Sequence, residues 1–126
     1  MNEKLDLGNF YGTQQYHRIN DVWRYWLCTD GVKYVADNAG GGAYWLLDII
    51  VVHGKPFMKK KASMLDITVA VEDGVATIVF GDGNGNKLQT LRDITTDFPE
   101  EGITLWVLPQ YHPEGDMNII MLPQEY

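Results

Sequence analysis

The sequence predicts an α+β domain: two central helices packed on one face of a four- to five-stranded antiparallel β-meander. Three observations carry that expectation. Apolar residues recur at helical spacing up to about residue 53 and at alternating spacing from about residue 65. Gly, Asn, Asp and Pro separate the alternating segments, as turns require. Helices grouped before strands define the α+β pattern, and short turns between successive strands favour a meander. The 126 residues make a single domain, with a helical half over about 10–54 and a β half over about 63–122.

Residues 1–9 read as a lead-in with a short extended piece over 4–7. Gly12 permits a turn and Thr13 offers a cap to the next segment. From Tyr16 to Cys28 two patterns compete. Tyr16, Ile19, Trp23, Trp26 and Leu27 fall at helical intervals, while Val22, Trp23, Tyr25 and Trp26 are strand formers. We expect a short helical turn near 13–18, then an extended segment over 23–28. Thr29 or Asp30 caps a first helix near 30–39, whose stripe is Val32, Val35, Ala36 and Ala39. Gly40, Gly41 and Gly42 lead into the central helix, residues 43–53, with Ala43, Leu46, Leu47, Ile50 and Val51 as its buried stripe. Gly54 and Pro56 are expected to end it. A link this short makes the two helices neighbours.

Residues 55–61 read as a basic loop. Leu65, Ile67, Val69 and Val71 then alternate with polar residues in a first strand, and Asp73-Gly74 marks a tight hairpin. Further strands are expected over 75–80, 87–94, 103–108 and 117–122, with turn-rich loops at 81–86 and 109–116.

Apolar content of 45% and aromatic content of 12% exclude a disordered chain. No apolar run reaches membrane-spanning length, and residues 1–6 lack the pattern of a signal peptide. The lone Cys28 excludes an internal disulfide, suits a reducing cytoplasm and reads as a buried small apolar residue. The charge is uneven. Residues 1–62 carry eight Lys/Arg against six Asp/Glu; residues 63–126 carry two against eleven. An acidic half of that kind repels nucleic acid and attracts basic partners.

Candidates for chemistry are few. No catalytic motif is present, and no cofactor or metal is expected. His17, His53 and His112 lack metal-ligand spacing. Residues 82–86 begin like a calcium loop, but Lys87 and Asp93 stand where Gly and Glu belong, so a hairpin turn explains them better. Lys59, Lys60 and Lys61 with Phe57 read as a solvated basic loop, which makes direct nucleic-acid binding a minor reading. Trp23, Tyr25, Trp26, Tyr44 and Trp45 are mainly core, with room for one or two exposed anchors.

Several motifs together resemble a known family. They are Phe10-x-Gly12-Thr13, Tyr16-His17-Arg18, the Thr-Asp-Gly-Val-Lys-Tyr of 29–34, the Ala-Tyr-Trp-Leu-Leu-Asp of 43–48, and the closing Leu122-Pro123-Gln124-Glu125-Tyr126. Residues 82–86 and 96–99 add to them. The chain is similar over nearly its whole length to an uncharacterised bacterial family of short proteins, a domain of unknown function common on plasmids, on prophages and in cyanobacterial genomes. That family carries no established activity, so no functional residue transfers. The resemblance implies a setting of mobile elements.

The expected function is therefore a small acidic, non-enzymatic interaction protein. In that setting it would be an anti-CRISPR or other anti-defence inhibitor binding a CRISPR effector or another nucleic-acid-handling host protein. The expected contact residues are Asp97, Phe98, Glu100, Glu101, Glu114 and Asp116. An alternative is a small-ligand binder or enzyme with a pocket near Tyr16, His17 and Arg18. A further alternative is a homo-oligomeric structural protein joined through sheet edges.

Overall fold

A computed structural model describes residues 5–8, 12, 15–20, 22–60, 62–110 and 115–126. The chain is α+β, but its sheet corrects the expected meander of four to five strands. Seven strands form one mixed sheet: β1 (His17–Arg18), β2 (Trp26–Cys28), β3 (Leu65–Glu72), β4 (Val75–Gly81), β5 (Lys87–Thr95), β6 (Ile103–Gln110) and β7 (Met117–Met121). The spatial order is β1-β2-β7-β6-β3-β4-β5. All neighbours are antiparallel except β2 and β7, which run parallel with Leu27 opposite Ile119.

Helices α1 (Asp30–Asn38) and α2 (Tyr44–Lys59) bury their apolar stripes in the same core as the sheet. Val32, Val35 and Ala36 of α1 and Leu46, Leu47, Ile50 and Val51 of α2 join Leu65, Ile67, Val69, Ile78, Phe80, Leu105 and Val107 there. Cys28 is buried among them, and burial pushes its thiol up to about 12.

The meander fails between β5 and β6. A meander pairs each strand with its successor, yet β6 pairs with β3, placing Ile103 opposite Val69 and Val107 opposite Leu65. An interior position suits β3, because its inward residues Leu65, Ile67 and Val69 are all buried. The chain reaches β6 through residues 96–102, which pass across the helix side of the sheet. There the Gly41 N–H donates to the Asp97 carboxylate at 2.7 Å, and Phe98 fills the core. The two extra strands come from residues 17–28. His17 and Arg18 form an edge strand, not the expected helical turn, and Trp26–Cys28 adds to β7. The second falls inside the extended segment expected over 23–28, whereas the two-residue strand at 17–18 leaves no periodicity to read, so its partner strand reveals it.

Helix α2 runs six residues beyond its expected end at residue 53. Gly54 lies inside it because the helix passes close to the sheet here. A Cβ at Gly54 would sit 3.0 Å from Leu65 Cδ1 and 3.5 Å from the Trp26 ring. Pro56 costs one intrahelical hydrogen bond, but Pro56 and Val52 lie on the exposed side, where water can serve the freed carbonyl.

The other end of the helical layer is closed by the last residues. A short 3₁₀ turn, Pro123–Glu125, folds back to the start of α1. Glu125 is buried, and its carboxylate accepts from the Thr29 hydroxyl at 2.5 Å, the Gly31 N–H at 3.0 Å and the Leu122 N–H at 3.0 Å. A carboxylate at a helix N-terminus answers free amides and the positive end of the helix dipole. Gly31 makes room: a Cβ there would lie 2.5 Å from Leu122 Cδ1. The Thr-Asp-Gly and Leu-Pro-Gln-Glu-Tyr motifs are thus two halves of one structural joint.

Candidate functional site

Among the described residues, one cleft has a volume of about 840 Å³, within the roughly 300–1,000 Å³ range of small-molecule sites. One wall is the last two turns of α2. Lys55 and Lys59 stand one turn apart on it, with Met58 beside them. The other wall is the segment leading into β2, with Trp23, Arg24 and Tyr25. Pro109 of β6, Asp116 and Asn118 of β7 complete the lining on the sheet side.

The aromatic segment is shaped locally. The Asn20 side-chain oxygen accepts from the Val22 N–H at 2.8 Å and the Trp23 N–H at 2.9 Å, a turn that Asn forms readily. The Trp26 N–H then bonds the Trp23 carbonyl at 3.1 Å, and the Asn118 N–H bonds the Tyr25 carbonyl at 2.8 Å. The segment is therefore held by its own turn and by the sheet while Val22, Arg24 and Tyr25 remain exposed.

Electrostatics set this cleft apart. The Lys55 ammonium lies 5.7 Å from the centroid of the Trp23 ring, and the Arg24 guanidinium lies 5.6 Å from that of Tyr25. Among the described residues, Arg24, Lys55 and Lys59 have no carboxylate within ion-pair distance; the two ion pairs there are His17–Asp30 and Lys33–Asp37. So three of the chain's ten Lys/Arg converge on one cleft without a described acidic partner, in a protein with 17 Asp/Glu. Lys33 shows the usual alternative. It donates to Asp37 at 3.0 Å, the Tyr44 hydroxyl donates to Asp37 at 2.7 Å, and these bonds, Tyr44 first, hold the Asp37 carboxyl below its ordinary range.

The residues singled out from sequence lie mostly elsewhere. Tyr16 and Arg18 are exposed at the β1 edge, and His17 pairs with Asp30 at 2.7 Å; none of the three lines the cleft. His53 of α2 bonds Gln89 of β5 at 3.0 Å and does not line the cleft. Asp97 is committed to Gly41, and Phe98, 1% exposed, presents no ring to a partner. Glu100 and Glu101 remain exposed, Asp116 lines the cleft, and Glu114 and His112 lie outside the described residues. The Asp82 carboxylate accepts from the Asn84 and Asn86 N–H groups and the Asn86 side chain. That is a turn closing on itself, and no metal-holding cluster of His, Cys, Asp or Glu occurs among the described residues.

Sequence reasoning misses the cleft because its parts sit about thirty positions apart. The chain displays an aromatic segment and a basic run, and residues 55–61 read as a loop. As a helix, the same run places Lys55 and Lys59 on one face.

Fold and site together define an α+β domain with helices on one face of a mixed sheet and a basic, aromatic cleft at the C-terminal end of the long helix. The chain belongs to DUF6876, a family of unknown function, which matches residues 1–126. No curated protein and no solved structure matches it. Among the described residues, no helix is long and apolar enough to cross a membrane.

Proposed function

We propose that this protein is a non-enzymatic binding domain whose cleft holds an anion carrying a ring or other flat apolar group. The observation that carries the reading is the convergence of Arg24, Lys55 and Lys59, without a described acidic partner, on Trp23 and Tyr25. Like charges one helical turn apart weaken a helix slightly, and an arriving anion removes that repulsion. The exposed Tyr25 ring and the half-buried Trp23 ring supply apolar area at low entropic cost, which suits recognition. The acidic-face reading, in which a defence protein docks on Asp97, Phe98, Glu100 and Glu101, has less support. Its aromatic anchor is buried and its first carboxylate is engaged. Joining through the β5 edge has less support too. Asp93 there has φ 62° beside a register shift, and Lys87, Arg92 and Asp93 put charge on the strand, all of which discourage edge pairing.

The test is calorimetric titration with a panel of ring-bearing carboxylates and phosphates. At least one member should bind one per chain and weaken with salt. Reversing the two lysines (Lys55→Glu with Lys59→Glu) should weaken it by at least about tenfold, while the melting temperature holds. Failure of every member of the panel to bind the wild-type chain would remove the reading.

A further inference from the structure

We infer that the cleft's ligand is a small ring-bearing phosphate monoester of the nucleoside monophosphate class; this rests on the binding reading above and narrows it. Charge comes first. Lys55 and Lys59 share one wall, Arg24 stands on the other, and none has a described carboxylate partner. A carboxylate brings one charge. A phosphate monoester brings about 1.5 to 2 at neutral pH and three acceptor oxygens, enough to engage cations from both walls. The Arg24 guanidinium presents a planar fork suited to two phosphate oxygens.

The ring comes second. Each aromatic side chain already has a cation within 6 Å of its centroid, at 5.7 Å for Trp23 and 5.6 Å for Tyr25. Ring recognition and anion recognition are therefore adjacent, and inorganic phosphate would leave the rings and Met58 unused. Third, the sheet side carries Asp116 and Asn118. The Asn118 side-chain amide there both donates and accepts, and so can meet the hydroxyl and amino groups of a ligand. A nucleoside has such groups; a simple aryl acid does not.

A nucleic-acid strand carries the same chemistry but fits the rest of the molecule poorly. The net charge is −7, and residues 63–126 hold eleven acidic residues against two basic ones. A strand leaving the cleft would run onto repulsive surface, whereas a single nucleotide would not.

The experiment is calorimetric titration of the full chain with adenosine 5′-monophosphate, adenosine, inorganic phosphate, phenyl phosphate, phenylacetate and an oligothymidylate. The monophosphate should bind at least about tenfold more tightly than phenyl phosphate, phenylacetate, adenosine or inorganic phosphate, and phenyl phosphate matching it would overturn the nucleoside assignment. Replacing both lysines (Lys55→Gln with Lys59→Gln) should erase its advantage over adenosine. Phenylacetate binding as tightly as phenyl phosphate would overturn the phosphate assignment while leaving the cleft a site for ring-bearing anions. Inorganic phosphate matching the monophosphate would overturn the ring requirement, and a tighter oligothymidylate would replace the nucleotide with a strand. If neither phenyl phosphate, phenylacetate nor the monophosphate binds, this inference and the reading beneath it both fall.

Discussion

The two helices meet charged groups in opposite ways. At the start of α1, the Glu125 carboxylate arrives from the far end of the chain and is buried against three donors. At the end of α2, Arg24, Lys55 and Lys59 gather in an open cleft without a described acidic partner. The first arrangement is complete within the fold. A buried charge is tolerated only when its hydrogen bonds are made, so that joint is structural. The second is complete only when something else supplies the negative charge. Satisfaction therefore separates a joint from a site, even though both are built from charges beside helix ends.

The sharpest break in that comparison comes from Glu125→Ala. It leaves the Thr29 hydroxyl and the Gly31 and Leu122 N–H groups facing a void, and should cost about 2–4 kcal/mol in urea unfolding. A loss under about 1 kcal/mol would mean the joint is not holding α1. A smaller effect comes from Cys28, buried in the core just before α1. Its thiol titrates near 9 when exposed and is pushed up to about 12 in the fold. The native state keeps its proton where the unfolded chain loses it, so this contribution is full below pH 9 and fades as pH rises toward 12. Wild type should lose about 1 kcal/mol more than Cys28→Ala between pH 9 and pH 10. Parallel pH profiles of the two proteins would refute the assignment. The smallest effect is expected at the cleft. Replacing both lysines with glutamine should leave unfolding free energy within about 0.5 kcal/mol of wild type, because repulsion is relieved as a contact with Trp23 is lost. A loss above about 1.5 kcal/mol would make these lysines structural and erase the contrast.

Much of the fold is legible from local pattern. The strands β3 to β7 fall within a residue or two of the alternating segments, and α1 begins at the expected Thr29 cap, which accepts from the Val32 N–H. What is not legible depends on distant partners. Residues 17–18 are a strand because they pair with β2, and the extended segment expected over 23–28 joins the sheet only because β2 adds to β7. The crossover to β6 places Phe98 in the core, although its neighbours Asp97, Glu100 and Glu101 give the segment the look of an exposed acidic loop. Of the expected contact residues, only Asp116 lines the cleft among those described. Trp23 and Tyr25 stand out as aromatic and Lys55 as basic, but nothing in their spacing joins them.

Sequence alone determined the class, the helical stripes, the alternation of the β half and the acidic balance, because period and charge are properties of neighbouring residues. Tertiary structure decided the strand order, the length of α2 and the cleft. Gly54 and Pro56 are helix-ending signals in isolation. Packing of α2 against Leu65 and Trp26 outweighs them, since a buried helix gains from tertiary contact more than intrinsic propensity can remove. The same packing carries the helix on to Lys59 and sets its last turns opposite Trp23 and Arg24, which is how a basic run and an aromatic segment become one site.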